Sequence, residues 1–249
     1  MYKGHKISVV IPALNEEAAI HKVIKGLFTL KVGEHRIIDD IIVCDNGSTD
    51  NTGVVAIAAG AEAVSQSTPG YGIACLTAIA HLSECDIVLF VDGDDSCFAE
   101  QALPMLNGII NGDDLAIGSR TLGHIEIGAL TGPQLFGNWL SSRLITLFWG
   151  QKITDLGPFR AIKRSSLQTL DMENKTFGWT VEMQVKAIIL GMQVNEYPVD
   201  SKIRIGQSKI SGTVSGSIKA GVGILSMIAK LFVNQAHFKR RIKQTAEQL

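Results

Sequence analysis

The sequence predicts an α/β fold, a mostly parallel sheet flanked by helices, on three observations. Apolar runs at residues 7–11, 41–44 and 87–91 show no alternation, as strands covered on both faces do not. Helical periodicity lies between successive runs. Each run ends in a loop dense in polar side chains, and in open sheets of this kind the carboxyl ends of the strands form the ligand crevice.

Taken in order, Ile7-Ser8-Val9-Val10-Ile11 reads as a buried strand, and Asn15-Glu16-Glu17 opens a helix whose apolar face carries Ile20, Val23, Ile24 and Leu27. A second strand, Ile41-Ile42-Val43-Cys44, runs into the turn Asp45-Asn46-Gly47-Ser48 and a helix over 49–59, whose first residues are natural caps. Residues 61–64 read as a short strand, 73–82 as a helix and 87–91 as the third main strand. Beyond them, 115–118 is strand-like and 133–149 helix-like, rich in Leu, Phe and Trp. Strands at 159–162 and 194–199 bracket a helix at 181–190. No repeat or Pro/Ser-rich linker divides the chain, so one large domain over 1–212 is expected, with an amphipathic helix and basic tail over 213–249.

Composition excludes several classes. A net charge of −1 and the absence of a long basic run before the C-terminus argue against nucleic acid as partner. The four cysteines, Cys44, Cys75, Cys85 and Cys97, form no CxxC pair, which fits a reducing cytoplasm and neither a zinc site nor a disulfide framework. The six histidines lack HxxxH or HExxH spacing. The first apolar run is too short for a signal-peptide core and stops at Pro12, while Lys219 and Lys230 interrupt the most apolar C-terminal stretch. Neither a secretion signal nor a spanning helix is expected.

The chemistry concentrates at loops after strands. Asp92-Gly93-Asp94-Asp95 follows the third strand, where closely spaced carboxylates could place a divalent cation against a diphosphate; the alternative is a surface turn. Pro12-Ala13-Leu14-Asn15-Glu16-Glu17 sets polar groups and a helix N-terminus beside the same cleft, or simply caps that helix. In the loop 45–52, Asp45 could accept hydrogen bonds from a nucleoside, whereas Asp50 and Thr52 suit the turn and helix cap. Arg120 and Arg160 are suited to bidentate phosphate recognition or to salt bridges between loops. Arg204, Ser208 and Lys209 form a basic, Gly-containing loop, read as a phosphate clamp or a solvated loop.

Six motifs in this order, VVIPALNEE, IVCDNGSTDNT, VLFVDGDDS, AIGSR, TDLGPFRAIKR and RIGQSKISGT, resemble family 2 glycosyltransferases of the GT-A fold, most closely the dolichyl-phosphate mannosyltransferase-like branch. The resemblance covers about residues 7 to 212. It implies that Pro12, Ala13, Glu16 and Asp45 line a nucleotide pocket with Asp92 and Gly93, and that Asp92 and Asp94 hold Mg²⁺ or Mn²⁺, with Ser96 at a further ligand position. Arg120, Arg204 and Lys209 join the nucleotide-sugar set, and Arg160 is placed with the catalytic residues. Asp155 is the candidate acceptor-side base, because the resembling enzymes carry an acid near this place. Asn46 stands where many members have a second Asp; Asp95 is one acid beyond the family pattern. Trp179 and Glu182 match a segment near the acceptor cleft, although Trp179 is large enough to be core. Inversion at the anomeric carbon is likewise implied.

From Val214 to Phe232 apolar residues follow a helical period, with Ser215, Lys219, Ser226 and Lys230 on a narrow polar stripe, and Lys239, Arg240, Arg241 and Lys243 follow. Phe136, Trp139, Leu140, Leu147 and Phe148 could form a second such surface. These faces suit a peripheral contact with anionic headgroups, or else pack on each other or in a homo-oligomer. The combined expectation is a metal-dependent enzyme moving a hexose from GDP-mannose or UDP-glucose to polyprenyl phosphate at the cytoplasmic membrane face. Its alternatives are a soluble or protein hydroxyl acceptor, or a silent sugar-nucleotide-binding subunit.

Overall fold

The computed structural model describes the backbone of residues 1–206 and 214–246, with side chains through 206, at 216 and over 218–240. In chain order the elements are β1 (Ile7–Ala13), α1 (Glu17–Phe28), β2 (Lys31–Val32), β3 (His35–Arg36), β4 (Asp40–Asp45), α2 (Thr52–Ala58), β5 (Glu62–Ser65), α3 (Tyr71–Ala80) and β6 (Ile87–Phe90). There follow α4 (Ala102–Ile110), β7 (Leu115–Ser119), α5 (Gly132–Trp149), β8 (Arg160–Lys163), α6 (Arg164–Leu170), α7 (Trp179–Ile189), β9 (Val194–Pro198) and α8 (Val214–Ala246).

Seven strands form one sheet in the order β5-β4-β1-β6-β8-β7-β9. It is parallel except at β8, which runs antiparallel to both β6 and β7. Burial on both faces explains the unbroken apolar runs. Ile7, Val9, Ile11 and Ala13 of β1 enter the core that includes Ile20, Ile24 and Leu27 of α1, while Val10 enters the opposite core with Ala74, Cys75 and Trp179. Each fully buried Ile or Val contributes about 1.5–3 kcal/mol relative to exposure.

A third apolar cluster joins α5, α7 and α8, with Ile145, Val181, Val185, Met227, Ile228 and Leu231 at its centre. One face of α8 is therefore covered by the protein itself, while Ile218, Val222 and Val233 on other faces are exposed. α5 starts on a capping box, in which Thr131 N and Oγ1 both lie at hydrogen-bond distance from Gln134 Oε1, and it ends at Gly150 with φ of 75°. The hairpin β2–β3 and the short helices α4 and α6 are elements the apolar pattern did not announce. No helix among the described residues is long and apolar enough to cross a membrane.

Candidate active site

Three strand-end loops converge at the carboxyl edge of the sheet. The β1–α1 loop and the β4–α2 loop are stitched together: Asn15 N donates to Ser48 Oγ at 2.9 Å, Thr49 N donates to Asn15 Oδ1 at 2.7 Å, and Glu16 N donates to Thr52 Oγ1 at 2.8 Å. Asn15 holds φ at +53°, a left-handed conformation that Asn tolerates through such local bonds. The third loop, after β6, carries the acidic cluster.

The fourth contributor arrives from far along the chain. Lys202 N donates to Ser96 O and Ile205 N to Asp94 O, which lays residues 202–205 alongside the acidic loop. Arg204 thereby sits between two carboxylates, with Nη2 2.8 Å from Glu16 Oε1 and Nη1 3.2 Å from Asp94 Oδ2.

A cavity of about 350 Å³ opens at this junction, walled by Pro12, Ala13, Leu14 and Glu16, by Asn46, by Gly70, Tyr71 and Ala74, by Asp92, Gly93 and Asp94, and by Thr176, Phe177 and Arg204. A neighbouring cavity of about 250 Å³ shares Tyr71, Asp92 and Phe177 with it and continues along Arg120, Pro133, Gly137, Asn138 and Leu156 to Ala220 and Ile224 of α8. Asp92 and Tyr71 thus stand at the boundary of two compartments.

The electrostatics follow from that position. Burial and the adjacent Asp94 charge push Asp92 up to about 7, against the pull of the Tyr71 hydroxyl and the Arg204 and Arg120 guanidinium groups. The Tyr71 hydroxyl donates to Asp92 Oδ1 at 3.0 Å. Two acids held together in low dielectric attract a cation. Asp94 is fixed by Ser96, whose backbone N–H and hydroxyl both donate to Oδ1, at 3.0 and 2.6 Å. Asp95, with φ of +60°, turns away and pairs with Lys22 at 2.6 Å and Lys202 at 2.8 Å.

Of the expected site residues, Pro12, Ala13, Glu16, Asp92, Gly93, Asp94 and Arg204 come together in the first cavity, and Arg120 lines the second. Others are placed differently. Asp45 lines neither cavity; its Oδ1 accepts from Ser48 N at 2.8 Å and holds its own turn. Ser96 is spent on Asp94 rather than turned to the cavity. Arg160 is wholly buried, donates to the carbonyls of Leu156, Gly157 and Thr180, and is pushed down to about 10 by burial, so it braces loops and reaches no ligand space. Asp155 is equally buried and its two oxygens receive the Arg120 fork, which leaves it no free edge for a proton from an acceptor. Trp179 is core, its ring centroid 6.2 Å from that of Phe90, and Glu182 is buried against a lysine. Ser208 and Lys209 lie outside the described residues.

Sequence reasoning missed Tyr71, Thr176 and Phe177, and discounted Asn46. Tyr71 between Gly70 and Gly72 at a helix start was the available signal. A Cβ on Gly70 would lie 2.3 Å from Lys175 O and one on Gly72 2.1 Å from Asn174 O, so only glycine admits the 174–175 backbone here. Asn46 uses both halves of its amide: Nδ2 donates to Gln66 O and Thr68 O, and Oδ1 accepts from Gly70 N. A carboxylate could not make the two donations, which is a physical reason for Asn at this position.

The fold and the clustered strand-end loops are those of a transferase of the GT-A type. The glycosyl transferase family 2 model matches residues 8–171, and the chain belongs to that family. An uncharacterized glycosyltransferase of Mycobacterium tuberculosis is 30% identical over 220 residues, covering 87% of this chain and 95% of that protein. A dolichyl-phosphate hexose transferase of Haloferax volcanii is 28% identical over 219 residues, covering 87% and 91%. Among solved structures, glucosyl-3-phosphoglycerate synthase from Mycobacterium tuberculosis in complex with Mn²⁺, UDP and phosphoglyceric acid superposes with a TM-score of 0.69 at 26% identity, covering 90% of this chain and 79% of that one. The chain is accordingly a glycosyltransferase.

Proposed function

We propose that this enzyme moves a hexose from a nucleotide sugar onto a polyprenyl phosphate held at a membrane surface. The observation that carries the reading is the pair of cavities meeting at Asp92. The larger one takes the nucleotide diphosphate sugar; the smaller one, with Arg120 on its wall and α5 and α8 at its sides, takes the acceptor phosphate.

The residues present fit a divalent cation of the Mg²⁺ or Mn²⁺ kind. Asp92 and Asp94 are hard oxygen donors, and burial together with the adjacent Asp94 charge raises the affinity of Asp92 for a proton, a cost to two neighbouring carboxylates that a bound cation would relieve. No group of three or more His, Cys, Asp or Glu residues with metal-holding geometry occurs among the described residues, so diphosphate and water oxygens would complete the shell. Once bound, the cation supplies neutralisation of the departing diphosphate.

The chain's own groups do the rest. Arg204, held by Glu16 and Asp94, offers positive charge where the diphosphate would lie. Arg120 is pre-aligned by Asp155 and lines the acceptor compartment. A phosphate monoester is largely dianionic at neutral pH, its second pKa being about 6, so orientation matters more than deprotonation and the lack of a free base at Asp155 is no obstacle. The domain division proposed is a catalytic unit over 1–212 with the 213–249 helix and tail as its membrane-facing part. Leu135, Phe136 and Trp139 on α5 and Ile218 and Val222 on α8 are exposed apolar groups beside the second cavity, and Lys239 and Arg240 add charge for anionic headgroups.

A soluble phosphorylated acceptor is the second reading. Its support is a 99-residue segment 46% identical to glucosyl-3-phosphoglycerate synthase of Mycobacterium tuberculosis, covering 36% of this chain and 29% of that protein. One experiment separates them: UDP-glucose and GDP-mannose are each offered with Mg²⁺ or Mn²⁺ to a short polyprenyl phosphate and to 3-phosphoglycerate, and products are followed by mass. Glycosylated polyprenyl phosphate is expected; transfer to 3-phosphoglycerate alone selects the second reading, and transfer to neither overturns both.

A further inference from the structure

Glu182 and Lys186 face each other one turn apart on α7, 2.8 Å between Oε1 and Nζ, with side-chain exposures of 2% and 1%. A buried ion pair is a poor source of stability, because desolvation offsets most of its attraction, so the pair calls for a use beyond packing. Its hydrogen bonds show one. Glu182 accepts from Glu173 N at 3.1 Å and from Asn174 N at 2.7 Å, and Lys186 donates to Asp171 O at 2.7 Å. Both charges therefore grip the backbone that leads from α6 to α7.

That segment ends in the wall between the two cavities. Thr176 and Phe177 line the first, and Phe177 also lines the second. Lys175 O accepts from Ile73 N at 3.0 Å, and the segment lies against Gly70 and Gly72 on either side of Tyr71, whose hydroxyl holds Asp92. From the other side α8 closes the arrangement, with Lys186 Nζ 5.1 Å from the centroid of the Phe238 ring.

We propose that the buried Glu182–Lys186 pair is a positioning unit that fixes the backbone of residues 171–177 and with it Thr176 and Phe177, the residues through which this segment walls the donor and acceptor compartments. The role rests on the reading of the two cavities given above. Backbone N–H and C=O groups are what the pair holds, and the Asn174 side chain adds one further tie, its Oδ1 accepting from Thr176 N at 2.8 Å.

The test uses the full chain carrying Glu182→Gln with Lys186→Met, which removes both charges while keeping volume. Three quantities are compared with wild type: melting temperature, amide hydrogen exchange in peptides covering 171–177, and Michaelis constants for donor (UDP-glucose or GDP-mannose, whichever wild type uses) and acceptor. Exchange is expected to rise about tenfold or more in that segment while β1 and β6 stay protected. Both Michaelis constants should rise together, by about tenfold or more, because one wall serves both compartments. If the double variant does not fold, Glu182→Gln alone is measured and should shift the same quantities in the same direction. A folded variant with wild-type exchange over 171–177, or with a lower melting temperature and unchanged Michaelis constants, overturns the role. Wild-type protein that transfers no hexose overturns the cavity reading, and the role with it.

Discussion

Arg120 and Asp155 form a two-pronged pair, Nε to Oδ2 at 2.8 Å and Nη2 to Oδ1 at 2.7 Å, and the Arg120 backbone N–H adds a third bond to Oδ2 at 2.7 Å. Burial disfavours the guanidinium charge, but the Asp155 carboxylate outweighs it and pushes Arg120 upward. Glu196 in turn accepts from Thr154 N and Asp155 N, which pins the strand-like stretch that carries the acid. Replacing Asp155 with Asn strips the counter-charge from a largely buried arginine. Stability should fall by about 3–5 kcal/mol, the range for breaking a buried pair, as read by urea unfolding. In folded protein the Michaelis constant for the phosphorylated acceptor should rise more than that for the donor.

The acidic pair gives a separate prediction. Asp94→Asn removes one carboxylate from the proposed cation site and the partner of Arg204 Nη1. Loss of several kcal/mol of charge stabilisation lowers transfer by about 100-fold or more, and calorimetry with UDP or GDP, whichever the wild type binds, should show nucleotide binding that no longer responds to Mg²⁺ or Mn²⁺. Retained metal response in this variant would remove Asp94 from the site.

Membrane contact is tested better by substitution than by deletion. Removing α8 would uncover Ile145, Val181, Val185 and Ile189, against which its Met227, Ile228, Leu231 and Phe238 are buried, and so would confuse unfolding with loss of attachment. Phe136→Glu with Val222→Glu alters two exposed positions, 61% and 62% accessible, without touching that cluster. Sedimentation with anionic vesicles should drop to the level of neutral vesicles, with an unchanged melting temperature. Equal binding by wild type and variant would exclude these faces.

Asp114 supplies a pH prediction far from the site. Burial raises its affinity for a proton, but the Gln193 N–H, the Ser166 hydroxyl and the Lys163 ammonium together outweigh burial and hold it below the ordinary 3.8. A folded-state value below the unfolded one means stability present above about 3.8 and lost as pH falls through the folded value. Asp114→Asn should therefore melt lower than wild type at neutral pH, and the gap should narrow as the pH drops from 4 toward 2.

How much was legible depends on where the determinants lie. β1, β4 and β6 were readable because burial on both faces leaves an unbroken apolar signature; Asp92 and Asp94 were singled out by their place directly after such a strand and by the motifs around them, since Asp and Gly alone are ordinary turn residues. The reversed direction of β8 left no trace, since residues 160–163 would look alike in either orientation. Arg160 was read as a catalytic, phosphate-recognising group and Asp155 as an acceptor-side base because sequence shows charge and hides burial; both side chains are internal. Tyr71 and Phe177 escaped because aromatic residues beside glycines read as packing, and their place at the boundary arises only when residues 70–72 and 174–177 meet.

The reversal of β8 has an outcome for diversification. β7 leaves the sheet at its carboxyl edge and β8 re-enters at that same edge, so the intervening stretch, residues 120–159 with α5 inside it, departs and returns like a handle. Its length is not tied to the spacing of any strand pair. Such a handle can be exchanged or enlarged to suit a new recipient of the sugar while the half built on β1, β4 and β6, proposed above to hold the nucleotide, stays as it is.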